Sequence, residues 1–305
     1  MTSLCPASTA SCDSVPMHVL ILALVLLLSG CTPGTVFSAM PSHDGMAELV
    51  LTAIDVGQGD AWLVEAGAVT VLVDAGTDGT AARWLRRNGH RHVDLMVLTH
   101  PHLDHIGGAV DVLLRVRVGQ VWMMTYDDDG PAARRVRNTA AQRRVTLSAP
   151  PVFHTVTLGT MRIEVLNPPP GRTFRGTNSE WNNESIVLRV VTDGGTVLLL
   201  GDTEREAHGR LLRSGMDLRA DVIAVPHHGS STTDLGLFAA VGAHTAVISA
   251  GADNPYGHPH REILAELSAR QTRIVRTDIN GTVRVVVSAT PETAQPRRGL
   301  LRSAA

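Results

Sequence analysis

The 305-residue chain contains no lysine: all 27 of its basic residues are arginine. Biased codon usage explains that more simply than a demand for guanidinium chemistry. With 29 acidic residues the formal net charge is only -2, which excludes a protein that coats nucleic acid through bulk positive charge. Cysteine is nearly absent as well. Cys5, Cys12 and Cys31 all precede the expected fold, so the domain has no disulfide and offers no thiolate to a metal. The expected domain lacks a Gly-x-Ser-x-Gly motif, which removes the nucleophile-elbow type of serine hydrolase. What remains, 44% hydrophobic and 18% charged residues, fills one ordinary globular core.

No apolar run is long enough to cross a bilayer as a helix, which takes roughly 20 residues. Val19 to Leu28 supplies ten, and it ends in Leu28-Ser29-Gly30-Cys31. That ending resembles the lipobox of bacterial lipoproteins, in which the cysteine is lipidated and the preceding segment removed. No Arg or Lys precedes the apolar stretch, a departure from the usual secretion signal, and Met17 is an alternative start. Four segments are therefore expected: a signal or targeting segment at 1–30, a flexible tether at 31–45 rich in Pro, Gly, Ser and Thr, a hydrolase domain at 46–290, and an unstructured tail at 291–305. Lipidation at Cys31 would anchor the domain on the extracytoplasmic side of a bacterial envelope membrane.

The chemistry is concentrated in Thr99-His100-Pro101-His102-Leu103-Asp104-His105-Ile106-Gly107-Gly108. Asp94 to Thr99 reads as a buried strand, so four potential ligands stand where a strand leaves a sheet. In extended chain His100 and His102 point the same way, and Asp104 and His105 follow in a turn that Gly107 and Gly108 tighten. Imidazole and carboxylate without thiolate suit zinc first, with manganese or iron as alternatives.

Around this block lie Ile54-Asp55-Val56-Gly57-Gln58-Gly59-Asp60, Asn182-Asn183-Glu184-Ser185, Leu200-Gly201-Asp202-Thr203, Pro226-His227-His228-Gly229-Ser230 and Asn254-Pro255-Tyr256-Gly257-His258-Pro259. In this order they resemble the metallo-β-lactamase superfamily, and within it the metallo-hydrolase domain of ComEC-type DNA-uptake channels and its stand-alone relatives. The resemblance runs from residue 48 to residue 287. It implies a four-layer αββα sandwich, whereas periodicity alone supports a single α/β domain.

The resemblance also implies roles. His100 and His102 would bind one divalent ion, and Asp104 and His105 a second. Asp202 would bridge both, which makes Asp104 and Asp202 the catalytic carboxylates. One histidine of the His227–His228 pair completes the second site, with His227 the slight preference. The superfamily's usual third histidine for the first ion is missing from the 182–185 segment, and His258 is its possible replacement. Asp74 would buttress the metal loop. Asp55, Gln58, Asn183, Ser185, His228, Ser230, Asn254 and His258 are supporting or substrate-contacting candidates, with turn-shaping roles as the alternative.

Two metal ions activating a water imply hydrolysis. The substrate expected is a phosphodiester, DNA included, with a cell-envelope phosphoester as the alternative and a non-catalytic metal-containing binding module as the third reading. Arg134, Arg135, Arg137, Arg143 and Arg144 lie in an Ala-rich, helical-looking insert. They are either phosphate contacts or a solvated helix face. No protein partner can be inferred.

Overall fold

Alternating apolar residues decide the layering. In β1 (Leu49–Ala53), β2 (Trp62–Ala66), β3 (Val69–Val73) and β4 (His92–Leu98), the residues Leu49, Leu51, Trp62, Val64, Val71, Val73, Leu95 and Val97 turn to one face. Leu63, Leu72, Met96 and Leu98 turn to the other, as the two-residue period of a strand requires. Both faces are buried, so both must be covered. The computed structural model describes residues 48–126, 129–290, 293 and 302–303.

The first sheet has the order β14-β1-β2-β3-β4-β5-β6, with β5 at Arg117–Met123, β6 at Thr146–Ser148 and β14 at Val283–Val287. The second sheet contains β7 (His154–Leu158), β8 (Met161–Asn167), β9 (Val187–Thr192), β10 (Gly195–Leu199), β11 (Val222–Ala224), β12 (Thr245–Ile248), β13 (Arg273–Arg276) and β15 (Arg302–Ser303). Its order is β13-β12-β11-β10-β9-β8-β7-β15. Their inner faces share one core, in which Trp62, Val64 and Val97 meet Ile163, Leu188, Val197 and Val222.

Helices cover the outer faces. On the first sheet lie α1 (Thr80–Arg87), the short α2 (Leu103–Ile106), α3 (Ala109–Arg115) and α4 (Gly130–Gln142). After the short α5 (Glu180–Asn183), the second sheet is covered by α6 (Arg205–Arg213), α7 (Gly236–Val241) and α8 (Arg261–Ala269), and the short α9 (Thr277–Asn280) precedes β14. The expected αββα sandwich in one domain is therefore what forms.

Each sheet mixes directions. β3-β4-β5-β6 run parallel in the first, and β10-β11-β12-β13 in the second. Parallel strands place all their C-terminal ends on one edge, where open α/β sheets bind ligands. Asp74 follows β3, the His100–His105 block follows β4, Asp202 follows β10, and His227–His228 follow β11.

Several expectations shift at this level. The arginine-rich insert is helical, and Arg134, Arg135, Arg143 and Arg144 are exposed while Arg137 closes on Asp129. Gly107 and Gly108 have ordinary right-handed φ, so they do not tighten the turn as expected. Their need is close approach, since a Cβ would lie 2.0 Å from the Thr77 carbonyl oxygen and 2.1 Å from that of Asp78. Of the tail expected to lack structure, Arg302–Ser303 pair with β7. The targeting segment, Cys31 and the tether lie outside the described residues.

Candidate metal centre

Three of the six described non-glycine residues with positive φ lie at one site. Asp74 (φ 60°), His227 (φ 49°) and His228 (φ 55°) are non-glycine residues in left-handed conformation, which costs roughly 1–2 kcal/mol each and clusters where function demands it. At the pair after β11 the strain turns His228 into the interior, where it is 2% exposed, and leaves His227 half-buried.

Three groups of side chains converge here; Asp202 belongs to two of them, and Asp60, Asp74 and His105 form the other. His100, His102 and Asp202 form the first, and Asp104, His105, Asp202 and His228 the second, with the ligand atoms of each within 4.8 Å of one another. In the first, His100 Nε2 lies 3.0 Å from His102 Nδ1 and 3.8 Å from Asp202 Oδ2. In the second, His105 Nε2 lies 3.2 Å from Asp202 Oδ1. His228 Nε2 lies 3.4 Å from Asp104 Oδ2 and 3.7 Å from Asp202 Oδ2.

The far side of each imidazole is already engaged. His105 Nδ1 meets Asp74 Oδ2 at 2.7 Å, and His228 Nδ1 meets the Ser249 carbonyl at 3.0 Å. Both partners only accept hydrogen bonds, so each Nδ1 carries the proton and a neutral ring leaves Nε2 bare. His105 Nε2, His228 Nε2 and Asp202 Oδ1 are buried without a hydrogen bond. Orphaned buried polar atoms are rare in proteins, and three facing one another fit a divalent cation.

Electrostatics points the same way. Burial pushes the Asp202 carboxyl up, but His105 and His228 outweigh it and hold the group well below the usual carboxylate range. Burial likewise opposes charge on His105 and His228. Asp202 together with Asp74, and Asp202 together with Asp60, still raise both well above the usual histidine range. The carboxylate cluster demands positive charge at this point, and a divalent ion would supply it.

The remaining candidates separate by what they touch. His227, preferred in the sequence reading, gives way to His228 in the second group: its Nδ1 turns to Glu204 Oε1 at 3.3 Å and to Thr232, while Nε2 stays 3.7 Å from Asp202 Oδ2. Asp74, beside His105, also accepts the Thr99 N–H at 2.8 Å and its hydroxyl at 2.7 Å. Ser185 Oγ lies 3.2 Å from His100 Nδ1 and accepts the Asp202 N–H. It thus links both ligands rather than replacing a missing one. Asn183 instead accepts the N–H groups of Glu204 and Ala207 at the start of α6.

Asp55 accepts the Gly57 N–H and shapes an exposed turn, and Ser230 serves its own loop through Thr232. Gln58 accepts the Gly251 N–H, joining the loops of the two sheets. His258 stands against His227 and His228, with ring centroids 5.5 and 6.0 Å away, and so sits on the side of the second group rather than the first. Asp60, read only as part of a glycine turn, is 3% exposed, with Oδ1 3.2 Å from His228 Nδ1. A charged residue closing a glycine turn beside a strand was its one available signal.

Comparison with known proteins agrees with this geometry. Residues 54–251 match the family model described as the metallo-beta-lactamase superfamily. The chain is 30% identical over 253 residues to "ComE operon protein 3" of Bacillus subtilis, covering 75% of this chain and 32% of that protein. It is 29% identical over 265 residues to "Competence protein ComA" of Neisseria gonorrhoeae, covering 85% and 34%. It thus spans about a third of the length of these relatives. Zn(2+)-bound PqqB from Methylobacterium extorquens shares the fold at TM-score 0.54 and 11% identity, over 79% of this chain and 100% of that one. A metal-dependent hydrolase of the beta-lactamase superfamily does so at TM-score 0.54 and 17% identity, over 79% and 99%. With its ligand-bearing loops gathered on one edge of an αββα sandwich, the chain belongs to the metallo-β-lactamase superfamily.

Proposed function

We propose that this protein is a metal-dependent phosphodiesterase that cleaves nucleic acid at the cell envelope. The observation that carries the reading is Asp202, whose carboxylate is shared by the two ligand groups. Competence-protein relatives and the lipobox-like Leu28-Ser29-Gly30-Cys31 support the substrate and the location. Two divalent ions, zinc by donor chemistry with manganese as the alternative, would polarise a phosphoryl oxygen and acidify a water.

The protein's own part is orientation and proton handling. Asp74 and Ser249 fix the rings of His105 and His228, and Ser185 and Thr99 do the same for His100. Asp104, whose side chain is 33% exposed, faces solvent beside His228; against burial, His228 and His105 hold its carboxyl well below the usual carboxylate range, so it stays ionised to accept a hydrogen bond from the attacking water. His227 gains proton affinity from Glu204 and Asp202, which together outweigh burial. Its Nε2 lies 3.7 Å from Asp202 Oδ2, at the edge of the second ligand group.

The test is a metal-supplemented panel of single- and double-stranded DNA, bis-p-nitrophenyl phosphate, p-nitrophenylphosphorylcholine and nitrocefin, with Asp202→Ala as the control. Diester and DNA cleavage together, lost in Asp202→Ala with the fold intact, is the expected result. Small-ester hydrolysis without DNA cleavage would replace this reading with an envelope phosphoester hydrolase. Retained metal without turnover would indicate a binding module.

A further inference from the structure

The chain has only two tyrosines, and one of them is displayed beside the metal centre. Tyr256 is 62% exposed although its loop is firmly held. The Asn254 side chain donates to the carbonyls of Gly251 and His258, both at 2.7 Å. Its Oδ1 accepts the N–H groups of Tyr256 at 3.2 Å and His258 at 2.9 Å. A single amide thus closes the loop and holds the exposed ring in a fixed position.

The ring connects to the centre through imidazoles. Tyr256 stacks on His258 with centroids 5.6 Å apart and planes 26° apart. His258 in turn lies 5.5 Å from His227 and 6.0 Å from His228, and His228 faces Asp104 and Asp202. A group lying on Tyr256 is therefore two rings away from the second ligand group.

We infer that Tyr256, braced by His258 and the Asn254 clamp, is a stacking platform for the base next to the scissile phosphodiester. The inference rests on the phosphodiesterase reading and assigns its ring-binding subsite. Quaternary ammonium groups fit poorly here. They prefer cages of several aromatic rings, whereas among the described residues Tyr256 has His258 as its ring neighbour. Stacking tolerates any base, so the platform confers preference for nucleotidyl esters without sequence specificity.

The experiment uses the full chain freed of metal, so that binding is read without turnover. Fluorescence anisotropy compares labelled oligothymidylate with an abasic deoxyribose-phosphate oligomer of equal length and charge. The wild type is expected to favour oligothymidylate by about tenfold, the scale of a single base–aromatic stack. Tyr256→Ala should abolish that preference and Tyr256→Phe should keep it. Equal affinity for both oligomers in the wild type, or a preference retained in Tyr256→Ala, would overturn the platform, as would stronger competition by phosphorylcholine than by thymidine monophosphate. Base preference without diester cleavage by the metal-loaded chain would sink the phosphodiesterase reading and leave the platform standing.

Discussion

Asp74 Oδ2 lies 2.7 Å from His105 Nδ1, and neither side chain is reached by solvent. The same carboxylate takes the N–H and hydroxyl of Thr99, where β4 ends. One side chain therefore fixes both the strand exit and the imidazole that faces Asp202. Asp74→Asn keeps the volume but replaces one acceptor with a donor, so it cannot serve all three partners. Metal affinity of the second group should fall by about 10–100-fold, as for other residues that orient metal ligands. Titration against a chromogenic chelator measures this, and unchanged affinity would remove Asp74 from that role.

The two ligand groups should empty in sequence. The first offers three residues and the second four, and the second alone has carboxylates, Asp74 and Asp60, behind its histidines. Graded chelation followed by metal analysis should show two steps, with the ion at His100 and His102 leaving first. His228→Ala should erase the later step selectively. A single cooperative loss would contradict the asymmetry.

Gly59 sets the spacing between two loops of the centre. Its φ is +130°, and a Cβ there would sit 2.2 Å from the Asp104 carbonyl oxygen, whose partner is the Asp60 N–H at 3.1 Å. Gly59→Ala must push Asp104 aside. Overpacking of this kind costs about 1–3 kcal/mol, and the metal bound by Asp104 should weaken as well. Denaturant unfolding and metal titration of the same variant test both halves, and wild-type values in either would refute the coupling.

His208 gives the fold an acid limit. It is fully buried on α6, with Nε2 beside the Thr203 hydroxyl and Nδ1 accepting the Asp234 N–H. Burial, only partly countered by Asp234 and Glu204, lowers its pKa from 6.5 to about 4. Between those values the unfolded chain binds the extra proton and the folded chain does not. The stability contribution is therefore complete above the unfolded pKa and falls as pH drops toward 4, by ~3 kcal/mol in all. Unfolding free energies at pH 7.5 and 4.5 should differ less in His208→Gln than in the wild type. An unchanged difference would show that His208 does not set the limit.

Much of the site could be read from local pattern. His100, His102, Asp104 and His105 lie within six residues behind a hydrophobic strand, and Asp202 ends another, so ligand type and strand exit were both visible. The supporting residues were harder to place. Asn183 and Ser185 share one segment, yet Asn183 serves α6 while Ser185 reaches His100 across 85 residues. Spacing along the chain holds no record of such contacts. Asp60 was missed because a carboxylate in a glycine turn looks solvated until β11 brings His228 to it.

The sequence by itself determined the donor chemistry and the strand periodicity, because residue type and two-residue alternation are local properties; periodicity reached only as far as a single α/β domain. The tertiary structure alone decided which of two adjacent histidines joins the second ligand group, His228, whose Nε2 also meets Asp104. His227 and His228 are chemically identical, and the left-handed turn after β11 directs one ring inward and the other toward Glu204. It also decided that Tyr256 stands in water beside them. Those outcomes depend on bringing the C-terminal ends of β4, β10 and β11, in two different sheets, to one edge of the sandwich.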